Sequence, residues 1–338
     1  MFSFYRRLGP QRYQERFGLP FNRFAPEQRF QHRPGVTLSQ QDNVGEALDT
    51  LNGAMLHYDA HYAAGTAWQR PLMVSTLTLQ RLIGMASKTY ARRTAIAGFD
   101  EIVLNGPLFG GDTLYAASEV LACDPDARSL LVRLKGHKPD GAEVARCTCR
   151  MQFGPDDDPD ASAAGEPRLA AYHPADDGSL VEQSGLFFED LVAGESFLHA
   201  PRRSFYPEEV AAHAWRSLEL APQHQDLAWM AAHAVRPVVP EPFLIGVVTA
   251  LTTRCFGRVS ANLGWRDVQL PLPVHAGDTI EAESTILETR ESRSRRDEGV
   301  VSVETLARNQ DGETVLRFHR TLLVYRRHAG GLYQRAGY

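Results

Sequence analysis

The sequence lacks a basic excess, a long apolar run and a dense set of cysteines. Its 36 Lys and Arg against 41 Asp and Glu give a net charge of −5, whereas nucleic-acid-binding domains carry a strong positive charge. An apolar run of about 18 residues, as a membrane span requires, is missing, and the first residues lack the apolar core of a signal peptide. Four cysteines in 338 residues do not suggest a disulfide scaffold. These features predict a globular, cytoplasmic protein that binds neither nucleic acid nor membrane.

Motifs for common cofactors are also missing. The chain contains no GxGxxG after a strand pattern, no GxxxxGK[ST] and no HExxH, which are the motifs for dinucleotides, nucleoside triphosphates and catalytic zinc. Cys147-Thr148-Cys149 has no second Cys or His pair at zinc spacing. We therefore expect no metal and no redox cofactor.

What is present is a duplication. A chain of this length predicts two domains, and the second half repeats the features of the first in the same order. His199 follows His32 at almost the same interval along the chain as Asp278 follows Asp112. The matched segments are Phe30-Gln31-His32 with Phe197-Leu198-His199, Gly110-Gly111-Asp112-Thr113 with Ala276-Gly277-Asp278-Thr279, and Lys138-Pro139-Asp140-Gly141 with Asn309-Gln310-Asp311-Gly312. Three ordered matches at a near-constant offset indicate a tandem repeat of one fold.

Each half predicts a helix and a sheet. Residues 71–85 and 242–251 are apolar nearly all round, which is typical of a buried helix. Alternating runs such as 130–134 and 300–304 predict strands, and Asp140-Gly141 and Asp311-Gly312 predict hairpin turns. The fold class is therefore α+β, with an N-terminal domain at 1–153, a Pro/Gly/Ala-rich acidic linker at 154–184 and a C-terminal domain at 185–338. We expect the two helices to pair and the two sheets to join into one layer.

Residues 51–64 carry the most specific motif. They resemble the hydratase signature of MaoC-like enzymes, Asp-x-Asn-Pro-x-His, with His57 at the family's catalytic His and Asn52 at its catalytic Asp. The resemblance covers residues 22–153 and 185–327. It implies a double hot-dog fold, in which each half is a curved antiparallel sheet wrapped around one long helix. The second half looks most like mesaconyl-CoA hydratases, in which the two halves stand in the opposite order.

Hydration of an enoyl thioester needs a base for water, an acid for the α-carbon and donors for the enolate oxygen. Imidazole suits the proton transfers because it titrates near neutrality. An amide cannot act as a base, so Asn52 is expected to hold the water while His57 carries the proton. Ser75 and Thr76 lie near the start of the predicted helix, where free N–H groups can hold an oxyanion.

The second half offers a competing pair, Glu219 and His224, which keeps the carboxylate. His224 lies at the same offset from His57 as His199 does from His32. Gly246 stands four residues after Pro242, as Ser75 stands four after Pro71. It is therefore a candidate oxyanion donor, although close helix packing also explains a glycine there. The first pair is preferred, and the second remains open.

The resemblance implies a hydro-lyase that adds water to an enoyl-CoA, or removes it, without metal or redox cofactor, coenzyme A being part of the substrate. Mesaconyl-CoA or a related short branched acyl-CoA is the expected substrate. The alternatives are an (R)-specific straight-chain enoyl-CoA hydratase and a non-catalytic acyl-thioester-binding subunit. Sheets of this kind leave edges to cover, and a homodimer is one way to cover them.

Overall fold

A computed structural model describes residues 3–155, 167–329, 331–335 and 338 of the chain. The part of the predicted linker at 156–166 lies outside these residues. The described helices are α1 (Gln40–Asp49), α2 (Ala60–Ala64), α3 (Ser75–Met85), α4 (Ser87–Tyr90), α5 (Pro207–Arg216), α6 (Pro222–Gln225), α7 (Leu227–Ala232), α8 (Glu241–Leu251) and α9 (Gly331–Arg335). None of them is long and apolar enough to cross a membrane.

The strands form two sheets with the same internal order. In chain order they are β1 (Tyr5–Gly9), β2 (Arg12–Glu15), β3 (Arg29–Thr37), β4 (Arg93–Leu104), β5 (Thr113–Asp124), β6 (Ser129–His137), β7 (Glu143–Phe153), β8 (Tyr172–Pro174), β9 (Leu180–Glu182), β10 (Ser196–Leu198), β11 (Arg203–Ser204), β12 (Val259–Gln269), β13 (Thr279–Glu291), β14 (Glu298–Arg308) and β15 (Thr314–Tyr325). The first sheet runs β4-β7-β6-β5-β3-β9-β8. The second runs β12-β15-β14-β13-β10-β2-β1, with β11 also on β13.

Each sheet holds one helix. Helix α3 packs against β3, β5, β6 and β7, and α8 packs against β13. Leu77, Thr78 and Leu82 form the buried face of α3, because they recur at the spacing of one helix side. Ser75 and Gln80 are exposed, so the helix is buried on one face and open on the other. This repeated arrangement confirms the α+β double hot-dog prediction.

Helix α3 begins later than its apolar pattern predicts. Residues 71–74 are extended: Leu72 bridges to Phe109, and the Met73 N–H donates to the Leu108 carbonyl at 2.9 Å. The predicted turns are present, with φ of +87° at Gly141 and +81° at Gly312, a backbone conformation that glycine adopts without steric cost. These two hairpin predictions are confirmed.

The leading hairpins of the two repeats are exchanged. Strand β2, from the start of the chain, pairs in parallel with β10 of the second sheet. Strand β9, which immediately precedes the second repeat in the chain, pairs in parallel with β3 of the first sheet. Strands β8 and β9, which lie within the predicted linker, therefore belong to the first sheet.

The two sheets do not join into one layer, contrary to the expectation from the sequence. Among the described residues, β4 ends the first sheet and β12 ends the second, each with one neighbouring strand. The halves are instead held together by the exchanged hairpins, whose parallel ladders fill the opposite edge of each sheet. Buried backbone N–H and C=O groups need hydrogen-bond partners. At these edges the partners are the backbone groups of the exchanged hairpins.

Candidate active site

A cleft of about 320 Å³ opens at the N-terminal end of α3. Pockets for small ligands have volumes of roughly 300–1,000 Å³. The side chains around it are mostly apolar, with a few polar groups between them. The lining residues are His57, Trp68, Leu72, Met73, Ser75, Thr78, Leu104, Asn105, Gly106, Pro107, Leu108 and Val144.

His57 is the titratable residue of this cleft. It ends a short 3₁₀ turn at Met55–His57 and is partly exposed. Its Nδ1 lies 2.8 Å from the carbonyl oxygen of Leu72. A carbonyl can only accept, so Nδ1 carries the hydrogen and Nε2 of the neutral ring keeps its lone pair. The ring is thereby oriented with a proton acceptor available to the cleft.

Asn43 fixes the position of this turn against the helix. The side chain is fully buried on α1, and its amide donates to the carbonyls of His57 at 2.8 Å and Leu72 at 3.0 Å. Its Oδ1 accepts from the Val74 N–H at 2.7 Å. One amide thus joins the His57 turn to the residue that precedes α3. Asn43 was not predicted from the sequence; a polar residue on the apolar side of an amphipathic helix is the signal that marks it, because a buried amide needs hydrogen-bond partners.

Ser75 and Thr76 occupy the first two positions of α3, whose N-cap is Val74. The first N–H groups of a helix have no partner within it, and they carry the positive end of its dipole. Ser75 lines the cleft with His57. The Thr76 hydroxyl instead donates to the Glu46 carboxylate at 3.2 Å, so its side chain turns away and only its backbone remains a candidate donor.

Asn52 is not among the residues that line the cleft. Its Oδ1 accepts from the Ala54 N–H at 3.0 Å, which closes a turn ahead of His57. One of the two lone pairs of this oxygen is therefore engaged in the backbone. A role for Asn52 in water binding stays a prediction, and the turn gives it a structural role of its own.

The second-half pair has the same backbone geometry and a different environment. His224 Nδ1 contacts the Val238 carbonyl at 2.7 Å, as His57 does with Leu72. However, His224 is 2% exposed, and its Nε2 accepts from the Gln223 amide at 3.3 Å. Glu219 is exposed and accepts from the Ala221 N–H at 3.0 Å. The imidazole that could serve as a base here is covered and already hydrogen-bonded.

Gly246 does not lie at the start of its helix. Helix α8 begins at Glu241, so Gly246 is in its second turn and Glu241 is the counterpart of Ser75. The spacing from proline does not identify equivalent helix positions in the two repeats, because the two prolines stand at different positions relative to the helix start. A Cβ at Gly246 would meet no atom within 4 Å, so close packing does not explain this glycine either. The carboxylate of Glu241 at the first helical position disfavours an oxyanion there.

His32 and His199 are buried in equivalent chains of hydrogen bonds. His32 Nδ1 lies 2.8 Å from Glu182 and its Nε2 2.8 Å from the Ser118 hydroxyl. His199 makes the same contacts with Glu15 at 3.0 Å and Ser284 at 2.8 Å. These Ser–His–Glu chains resemble acyl-transfer triads, but every member is at most 5% exposed. Their position at the exchanged hairpins indicates a structural role.

No group of three or more His, Cys, Asp or Glu placed to hold a metal ion occurs in the described ranges. Two larger cavities lie away from His57. One, of about 470 Å³, is an open groove on the first sheet where Arg133 and Arg29 are paired with Glu119 and Asp177. The other, of about 530 Å³, lies between the two repeats.

Comparison with known proteins finds a family that resembles part of the chain. Residues 170–332 match the model of the mesaconyl-CoA hydratase family. The match confirms the predicted resemblance to this family over residues 170–332, a range that contains His224 but not His57.

Two curated relatives are similar to this chain over part of their length. The mesaconyl-CoA hydratase of Haloarcula hispanica is 31% identical over 161 residues, which are 45% of this chain and 43% of the relative. That of Cereibacter sphaeroides is 34% identical over 146 residues, 43% of this chain and 42% of the relative. The chain thus matches less than half the length of these relatives.

Among solved structures, a MaoC domain protein dehydratase from Chloroflexus aurantiacus aligns over 92% of this chain and 98% of its own. The sequence identity is 20% and the TM-score 0.40. At that score the alignment carries no residue roles across.

Proposed function

We propose that this chain is a hydro-lyase that adds water to, or removes it from, an enoyl-CoA thioester, and that the reaction takes place in the cleft at His57. The observation that carries the proposal is the free Nε2 of His57 beside the unpaired N–H groups at the start of α3. The family match in the second repeat supports the reaction class, while the choice of the first repeat rests on geometry.

In the proposed reaction the thioester carbonyl lies at the start of α3. Nε2 of His57 takes a proton from water as the water oxygen bonds to Cβ, and the electrons of the double bond move to the carbonyl oxygen. The Ser75 end of the helix stabilises that oxyanion. The same imidazole then returns its proton to Cα and is neutral again. Dehydration is the reverse. No described carboxylate lines the cleft, so one imidazole performs both transfers.

We further propose that no resident metal or redox cofactor takes part, and that coenzyme A enters as part of the substrate. The proton transfers and the oxyanion site described above account for each step without one. The four cysteines are free thiols, which supports a reducing compartment such as the cytoplasm.

The acyl group is tested by a substrate panel. A short branched acyl-CoA such as mesaconyl-CoA is supported by the family match. The cleft supports the straight-chain alternative, because no described Lys or Arg lines it to meet a second carboxylate. Hydration rates with mesaconyl-CoA and with straight-chain enoyl-CoAs separate the two, and a chain that binds the thioesters without turnover would be the non-catalytic subunit.

The site is tested by two matched substitutions. His57→Gln should lower kcat by about 10²–10⁴-fold, the range for loss of a general acid–base residue. His224→Gln removes the equivalent imidazole from the other repeat and should leave kcat within a few-fold of the parent. Loss of activity in the second variant alone would transfer the proposal to the second repeat.

We also propose a homodimer in which β4 of each chain pairs with β12 of the other. Both strands are free edges within the described chain and carry exposed apolar side chains, among them Phe99, Ile102, Leu263 and Trp265. Reciprocal β4–β12 pairing would close both edges in one twofold assembly. Because Leu104, Asn105 and Gly106 lie on the cleft, a strand added to β4 would also wall the substrate site.

Sedimentation analysis tests this assembly. The parent should be dimeric at micromolar concentration, and Ile102→Lys or Leu263→Lys should shift it towards the monomer with a loss of activity. Leu48→Lys, at an exposed apolar position on α1, is the matched control and should remain dimeric. A parent that stays monomeric would overturn the dimer and leave the reaction proposal untouched.

A further inference from the structure

The cavity between the two repeats is lined from both sides. Its volume is about 530 Å³, and its polar lining includes Lys88 and Ser184 on one side, Thr253 and Arg254 on the other, and the rings of Tyr333 and Tyr338. It shares no lining residue with the cleft at His57. It is therefore a separate site with its own chemistry.

Two cations occupy equivalent positions in this cavity. Lys88 follows α3 in the first repeat, and Arg254 follows α8 in the second. The Lys88 ammonium donates to the Arg33 carbonyl at 2.6 Å and to the Ser184 hydroxyl at 3.4 Å. The Arg254 guanidinium donates to the carbonyls of Ala200 at 3.1 Å and Arg16 at 3.2 Å. In the part of the chain that the structure describes, neither side chain forms an ion pair with a carboxylate.

The nearby carboxylates are already engaged. Glu182 accepts from His32, from the Thr89 hydroxyl and from the Arg33 N–H. Glu15 accepts from His199 and from the Ala200 N–H at 3.1 Å. These bonds occupy both carboxylates, which act on Lys88 through their charge without an ion-pair contact.

Further positive charge surrounds the cavity. Arg33 and Arg258 are buried next to the lining residues Pro34 and Gly257. Burial lowers the pKa of Lys88 to about 8; Glu182 and Glu15 oppose this effect, and Arg254 and Arg258 add to it. Burial, together with Arg258 and Arg33, also lowers the pKa of His173. Desolvated charge of one sign is costly unless it is compensated.

The hydrogen bonds to carbonyls explain the direction in which the Lys88 and Arg254 side chains point. A neutral donor could make the same hydrogen bonds, however, without adding charge to a partly buried cavity. A lysine and an arginine from opposite sides of an open cavity are the groups that meet a phosphate, one as a point charge and the other as a planar fork.

We propose that this cavity binds a phosphate-bearing small molecule, with the phosphate between Lys88 and Arg254 and the organic part beside Tyr333. The volume exceeds that of a phosphate alone, which leaves room for the attached group. A site shared by the two repeats also gives the ligand a means to stabilise their association.

Calorimetric titration with inorganic phosphate and with pyrophosphate, at constant ionic strength, tests the site. The parent should bind with a dissociation constant in the millimolar range or tighter. Lys88→Met and Arg254→Met should each weaken binding about 10-fold or more, as expected for loss of a charged hydrogen bond. Lys135→Met, which removes an exposed cation from the groove on the first sheet, should bind like the parent.

Equal affinity in the parent and in the Lys88→Met and Arg254→Met variants, or no binding by the parent, would overturn the proposal. A measurement on the parent alone covers the case in which a variant does not fold. Binding at pH 8 should take up protons as Lys88 recharges, so the apparent enthalpy should depend on the ionisation enthalpy of the buffer. Binding without proton uptake would also count against the site.

Discussion

The side-chain amide of Asn43 donates to the backbone carbonyl of His57 at 2.8 Å from a fully buried position. The same side chain holds Leu72 and Val74, so the proposed base and the start of α3 share one anchor. The second repeat has the fully buried Val210 in this position, since each residue is the fourth of its helix. The two repeats therefore share a backbone and differ in how firmly the imidazole turn is held.

Replacing Asn43 by Val, as in the second repeat, should lower both stability and activity. The variant leaves the buried Val74 N–H without its acceptor and frees the two carbonyls, which should cost about 1–3 kcal/mol of unfolding free energy. Urea unfolding measures the loss. If Asn43 positions His57, kcat should fall more than KM rises, whereas a merely structural role would leave the kinetic constants of the folded fraction unchanged.

The first position of α3 should tolerate no negative charge. Ser75→Glu copies Glu241 of the second repeat and should lower kcat by about 10²–10³-fold, the range for loss of an oxyanion donor, because a carboxylate repels the enolate. The fold should persist, since a carboxylate near a helix N-terminus is stabilising. Glu241→Ser is the matched control and should not change kcat. Full activity in Ser75→Glu would exclude this helix end as the oxyanion site.

Glu182→Gln should destabilise the protein in a pH-dependent manner. Burial raises the pKa of Glu182, but His32, Lys88 and a hydrogen bond from Thr89 more than offset this effect and hold it below its ordinary value of 4.5. The carboxylate therefore stabilises the fold above pH 4.5, and this stabilisation is lost as the pH falls through the lowered pKa. Removing one partner of a buried pair costs about 3–5 kcal/mol.

Unfolding free energies at pH 7 and pH 4 measure this effect, and the gap between parent and variant should narrow at the lower pH. Glu291→Gln, at a carboxylate whose side chain is 76% exposed beside Arg326, is the control and should cost less than about 1 kcal/mol. A gap that is constant with pH would show that the charge of Glu182 does not contribute.

Removal of divalent metal should not affect turnover. The proposed steps use only an imidazole and a helix end, so dialysis against a chelator should leave kcat and KM unchanged. Activity that is lost on dialysis and restored by one added metal ion would contradict the single-imidazole reaction. Zinc content measured before dialysis provides the control for incomplete removal.

The sequence predicts the repeat, its hairpin turns and the motif that contains His57, because periodicity, glycine spacing and short motifs are local signals. It does not predict the exchange of hairpins, because β2 and β9 are short strands whose partners lie in the other half of the chain. The Glu182 and Glu15 contacts depend on that exchange. Proline spacing matches Gly246 with Ser75, whereas the structure places Glu241 at the helix position of Ser75, because the two prolines stand at different positions relative to the helix start.

The pairing of His57 with Ser75 could be anticipated, since both belong to elements that a motif or an apolar pattern identifies. The difference between the repeats could not. It depends on whether the preceding side chain hydrogen-bonds to the imidazole. The Gln223 side chain does so with His224, whereas Leu56, which precedes His57, has no polar side-chain group. Such side-chain contacts are determined by tertiary packing and cannot be predicted from the spacing of residues along the sequence.

The exchanged hairpins make the two repeats mutually dependent. Strands from residues 5–15 complete the edge of the second sheet, and strands from residues 172–182 complete the edge of the first sheet. Either repeat expressed alone would expose an unpaired ladder and a buried histidine stripped of its carboxylate. Under the proposed mechanism the second repeat performs no chemistry, and the exchange makes it an obligate folding partner of the first. Truncation at one end of the chain would therefore damage the sheet formed mainly by the other half.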